Sequence, residues 1–170
     1  MDVNAILANA FGRIPGEVER AVNGLSAEGL AFRPDPAANS IAWLVWHLTR
    51  VQDHHVSELI GGEQLYTTAG WADRLGRNPD PDDTGYGHST EQMIAVRFDE
   101  PGPLGDYLTA VTERTLDYVV SVDSAELGRI VDERWDPPVS AGVRLVSVIG
   151  DCLQHAGQAQ YVRGIWERLP

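Results

Sequence analysis

The chain has 170 residues, 43% of them apolar, which suits one globular domain over 1–170 and leaves too little for two. A formal charge of −12 argues against nucleic acid or an anionic membrane as partner. Cys152 is the one cysteine, which excludes an internal disulfide and a cysteine-built zinc cage, and no apolar run approaches the roughly 20 residues of a membrane helix. The N-terminal stretch shows no basic segment followed by an apolar run, so the expected location is the cytoplasm. All 13 basic residues are arginine, a bias read first as genome composition and second as rigid forks for an anionic ligand.

Residues 2–22 repeat apolar side chains at three and four (Val3, Ile6, Leu7, Ala10, Ile14, Val18, Val22), which predicts a helix with Pro15 as a kink or false start. A Pro- and Gly-rich connector follows, with Ser26 as cap of a short turn. Asn39 or Ser40 caps a second long helix, which stops at Gly61-Gly62. Leu44, Leu48, Val51 and Leu59 form its buried stripe, widened by Trp43 and Trp46. Residues 62–88 are rich in Gly, Pro and Asp, and a connection this long is uncommon and often functional. Ser89 with Gln92 predicts a capping box for a short helix near 90–97. A third long helix follows over about 103–121, then a short turn capped by Asp123. "RIVDERW" reads equally as extended chain or helix, and a last helix covers about 141–168. Four long amphipathic helices without a clear strand predict an all-α four-helix bundle, with a long connection between helices 2 and 3.

The last helix carries "DCLQHAGQ" inside an apolar run. Asp151 and His155 are four apart and share a face, about 6 Å from one another along the axis. A carboxylate and an imidazole so placed can chelate one cation, but taken alone such a pair is more often an ion pair or a hydrogen bond. A buried carboxylate needs one or the other. The third metal corner must come from a facing helix. His47 lies mid-helix among tryptophans and leucines, as a core histidine or as a ligand. His54 lies two turns on, near the same face, and is the reserve ligand. His55 sits at the helix edge, and His88 beside a helix start reads as a capping or exposed residue. Cys152 points about 100° away from Asp151 and reads as buried and inert.

Two blocks, "ANSIAWLVWHLTRVQDHHV" and "DCLQHAGQAQYVRG", resemble the DinB-like superfamily of metal-binding four-helix bundles. The resemblance implies a metal held by His47, Asp151 and His155, with Gly157-Gln158 completing the signature and Gln158 supporting a ligand or touching substrate. Asp151 departs from the commoner His or Glu. The stretch before His47 also resembles the thiol S-transferases that use mycothiol and the related maleylpyruvate isomerases. The larger isomerases carry a further C-terminal domain not present in these 170 residues, which favours the transferase. The implied chemistry joins a low-molecular-weight thiol, mycothiol or another, to an electrophilic substrate through a metal-activated thiolate, a detoxification reaction. Zinc is the first expected metal, with nickel, iron or manganese as alternatives, and a homodimer is compatible with the resemblance. Competing readings are metal-assisted hydrolysis and a metal-binding stress protein without turnover.

Overall fold

The structure, a computed structural model, describes residues 2–170. Its elements are α1 (Val3–Val22), α2 (Ala27–Ala31), α3 (Ile41–Ile60), α4 (Leu65–Thr68), α5 (Trp71–Arg74), α6 (Thr90–Ile94), α7 (Gly102–Val119), α8 (Ser124–Gly128), β1 (Ile130–Asp132), β2 (Val139–Ser140) and α9 (Ala141–Trp166). The four long helices α1, α3, α7 and α9 form the bundle. α3 and α1 each pack against both α9 and α7, which leaves α7 and α9 on a diagonal. No helix among the described residues is long and apolar enough to cross a membrane.

Local chemistry sets the helix ends. Ser40 starts α3 by accepting from the Trp43 amide at 3.1 Å, and Gly61 ends it in the left-handed conformation, φ 71°. Ser26 caps α2, Asp123 caps α8, and the predicted capping box of Ser89 and Gln92 starts α6. Helix α1 runs through Pro15 as one continuous helix. Its buried face is Leu7, Phe11, Ile14, Val18 and Val22, whereas Val3 and Ile6 are exposed. Ile6 lies about 100° round from Leu7, and Val3 shares the face but sits in the first turn at the end of the bundle. "RIVDERW" begins as an extended strand: β1 pairs antiparallel with β2 in a small hairpin that leads directly into α9. The all-α expectation therefore holds for the bundle, with this hairpin added.

The first half of α3 is buried on all sides rather than along a stripe, Ile41 through Arg50. Its inner face meets α9 and α7, and its outer face is covered by the connection from Gly61 to Pro101. That connection contains α4, α5 and α6. It is anchored by Asp53, whose carboxylate accepts from the amides of Leu65 (3.0 Å) and Tyr66 (2.8 Å) and from the Tyr107 hydroxyl (2.7 Å). Asp53 thereby caps α4 from a distance, since Gln64 at its N-cap supplies no side-chain bond. Burial pushes the Tyr107 phenol up, so it remains a donor to Asp53.

Candidate metal centre

Helices α3 and α9 bring His47, Asp151 and His155 together, with one ligand atom from each lying within 4.8 Å of the other two. The rings of His47 and His155 meet edge to face, 4.8 Å between centroids and 78° between planes. Nε2 of His155 stands 3.6 Å from Asp151 Oδ1. That is too long for a hydrogen bond and close to the spacing of about 3.3–3.6 Å that two ligands take on a tetrahedral ion with bonds of 2.0–2.2 Å.

The second nitrogen of each histidine is already committed. His47 Nδ1 lies 2.5 Å from the Thr84 carbonyl, which can only accept, so Nδ1 carries the proton and Nε2 keeps its lone pair. His155 Nδ1 donates to Gln158 Oε1 at 2.8 Å, which likewise leaves Nε2 free on the Asp151 side. Ligating histidines are held in this way, with the rear N–H given to an acceptor. Trp43 stacks on His47 at 4.5 Å and 13°, fixing the plane of the ring. Asp151 Oδ2 is buried with no hydrogen-bond partner among the described residues. A buried carboxylate oxygen without a donor is costly, and a cation removes that cost. The residues present therefore fit a divalent ion.

The electrostatics separate the two imidazoles. Burial holds His47 below the ordinary histidine pKa, opposed by the Thr84 carbonyl and the Asp151 charge. The Asp151 carboxylate holds His155 above it, opposed by burial and aided by Gln158. Acidifying metal-free protein therefore protonates His155 before His47. The raised group contributes stability that is full below its unfolded pKa of about 6.5 and is lost as pH rises through its folded value. The lowered group favours folding above about 6.5, an advantage lost as pH falls through its folded value. An NMR titration of the two Cε1–H signals checks the order, and His47 titrating at the higher pH contradicts it.

The remaining sequence-selected residues are distributed as follows. Gln158 supports His155. His54 does not reach the site: it lies two turns along α3, where Nδ1 accepts from Gln64 Nε2 at 3.0 Å and Nε2 faces Glu58 at 3.6 Å. Seven residues rotate it back to the face of His47 but displace it by about 10 Å along the axis. His55 pairs with Glu58 at 3.1 Å. Cys152 is fully buried against the Leu48 carbonyl and Gln52, and burial pushes its thiol well up.

His88 differs from its sequence reading. It neither caps a helix nor lies exposed: it stacks on Trp46 at 5.8 Å, accepts from Trp43 Nε1 at 3.2 Å and donates from Nε2 to Asp83 at 2.8 Å. Asp83 in turn pairs with Arg77 at 3.2 Å. The Asp83–His88–Trp43 chain thus braces the ring that stacks on His47. Its only trace in the sequence is the unusual length of the connection.

The profile of the mycothiol S-transferase family matches residues 6–167. The chain belongs to this family. The structure also resembles the crystal structure of a conserved protein from Enterococcus faecalis, with a TM-score of 0.88, 30% identity and 96% of each chain covered. No curated protein gives a significant match. Membership of the mycothiol S-transferase family agrees with the resemblance carried by the blocks around His47 and His155, the same two segments that supply the geometric cluster.

Proposed function

We propose that the protein is a metal-dependent S-transferase that joins a low-molecular-weight thiol, mycothiol first, to an electrophile. The observation that carries this reading is the convergence of two imidazoles, each with its rear N–H already donated, on a carboxylate whose Oδ2 is buried without a donor among the described residues. His47, Asp151 and His155 would hold the ion, zinc first and nickel, iron or manganese as alternatives. Three protein ligands leave coordination open, as catalytic sites do, and a divalent ion there would supply the charge that keeps a thiol as its nucleophilic thiolate.

The protein's own groups orient and shield. Thr84 and Gln158 fix the two imidazoles, and Trp43 covers the His47 ring from water. Asp151 is one-third exposed and His155 about one-fifth (33% and 19%), so the site opens to solvent on the α9 side while His47 is sealed. Gln158 also borders an apolar groove of about 390 Å³ formed with Ala38, Leu44, Gly157, Tyr161 and Val162, which suits the apolar part of an electrophile. Thiol pools of this kind belong to reducing compartments, which favours a cytoplasmic detoxification role.

Protein purified without an affinity tag, assayed for metal content and for thiol consumption with a bimane or a chlorinated nitroaromatic, tests the reading. Bound metal at one equivalent, lost in His47→Ala and His155→Ala, with turnover that follows the metal, is the expected result. Metal-free protein whose ligand variants behave like wild type would sink the site. Inactivity with mycothiol and with every other small thiol would leave hydrolysis or simple metal binding. Cys152→Ser is expected to retain turnover within about twofold, because the thiol is buried and held protonated. Complete loss of transfer in a folded Cys152→Ser protein would reassign the nucleophile.

A further inference from the structure

Arg50 lies one turn beyond His47 on α3, and its side chain is entirely buried. A buried arginine is rare and needs all its donors satisfied. Its nearest carboxylate, Asp53, stands 3.8 Å away, beyond hydrogen-bond reach, and is itself saturated by Leu65, Tyr66 and Tyr107. The guanidinium spends its donors on backbone instead. Nε donates to the Asp83 carbonyl at 3.0 Å, and Nη2 to the carbonyls of Asp80 (3.3 Å) and Pro81 (3.1 Å). Nη1 donates to Gln64 Oε1 at 2.7 Å and to the Tyr107 hydroxyl at 3.3 Å, and Gln64 donates onward to Pro81 at 3.0 Å. The face of the guanidinium lies over the Tyr66 ring at 3.8 Å.

These carbonyls belong to residues 80–83, and the next residue is Thr84, whose carbonyl holds His47 Nδ1. We infer that Arg50 is a positioning residue of the metal centre: by gathering the backbone of 80–83 it places the Thr84 carbonyl, which fixes His47 as the Nδ1–H tautomer and keeps Nε2 open toward Asp151 and His155. An imidazole released from that carbonyl divides between two tautomers and turns about its bonds, and only one of those arrangements can ligate. Lysine cannot substitute, because a point ammonium does not reproduce a planar fork that reaches three carbonyls and an amide.

The metal-affinity half of this inference rests on the proposed site, whereas the tautomer is read in metal-free protein. Long-range ¹H–¹⁵N NMR of His47 and zinc competition with a chromophoric chelator are compared in wild type, Arg50→Lys, Arg50→Met and Tyr107→Phe. Wild type is expected to show Nδ1–H. Arg50→Lys keeps a cation beside Asp53, and should fold while losing the single tautomer and weakening zinc about 10–100-fold, the usual effect of removing a ligand's support. Tyr107→Phe removes a bond to Asp53 and the hydroxyl that accepts from Arg50 Nη1, but leaves all three contacts of Arg50 to the carbonyls of 80–83, so it should melt earlier with tautomer and affinity unchanged. A folded Arg50→Lys that retains Nδ1–H and wild-type zinc affinity overturns the inference, and so does Tyr107→Phe losing the tautomer in step with stability. Should Arg50→Met unfold, Arg50→Lys decides. An Arg50→Lys that also fails to fold overturns it, since Arg50 is then a determinant of the fold. Wild-type protein that takes up no zinc removes the metal reading and the affinity effect, while the tautomer result still judges the clamp.

Discussion

Asp151→Asn is expected to lose at least a hundredfold in zinc affinity, about 2.7 kcal/mol, while the metal-free protein, at a pH where His155 is neutral, melts no earlier than wild type. The substitution is nearly isosteric and preserves Oδ1. It removes the only formal negative charge among the three candidate ligands and the better donor for a hard or borderline cation. With His155 neutral in the metal-free protein that charge is a burden, because among the described residues Oδ2 is buried without a donor and Oδ1 stands 3.6 Å from an uncharged imidazole. A neutral amide there leaves a buried N–H group unpaired, which costs less than an unpaired charge. His155 should also lose the influence that raises its pKa and titrate at lower pH. Thermal melts with and without zinc separate the two effects. Wild type should gain stability with zinc through linkage, and Asp151→Asn should gain little or none. A variant that keeps both the wild-type affinity and the zinc-induced shift would remove Asp151 from the ligand set.

The α9 half of the site was legible in the sequence because helical geometry is local: residues four apart share a face whatever surrounds them. That rule paired Asp151 with His155, put Gln158 beside them and turned Cys152 inward, where it is buried. The α3 half was less determined. His47 and His54 have nearly the same azimuth, and spacing alone cannot say which turn of α3 lies level with Asp151. The axial register between two helices is set by packing, and here it selects His47. The capping residues were also legible, since Ser40, Ser89 and Asp123 act on amides three residues away.

Residues 62–88 were not legible beyond their length. Their order comes from side chains distant in sequence: Arg50 collecting carbonyls, Asp53 capping α4, and His88 lodged between Trp43, Trp46 and Asp83. An arginine and an aspartate three apart on a helix read as a surface pair. Here they are buried because the connection folds over them. The exposed Val3 and Ile6 are the converse case: Ile6 belongs to the apolar repeat but points away from the face of Leu7, and Val3 lies in the first turn at the end of the bundle.

Gly85→Ala should damage fold and site together, and the reason lies where the connection meets α3. Gly85 has φ +90°, and a Cβ added there would stand 2.9 Å from Trp46 Cζ3, 3.0 Å from His47 Nδ1 and 3.1 Å from Trp43 Cζ2. The first cost is conformational, since an L side chain at positive φ is disfavoured by about 1–2 kcal/mol. The second is overpacking against two buried indoles with little room to move, typically about 1–3 kcal/mol. The expected loss in urea unfolding is roughly 2–5 kcal/mol in all. Relief requires the backbone at 84–85 to back away from α3, which pulls the Thr84 carbonyl off His47 and should weaken zinc about tenfold or more. Gly87→Ala separates the two costs: Gly87 also has positive φ, +75°, but apart from its own chain neighbours no atom of the described residues lies within 4 Å of its added Cβ. It should therefore show the conformational loss with zinc affinity intact. Equal loss of affinity in both variants would mean that loop strain, and not the close approach of Gly85 to His47, governs the site.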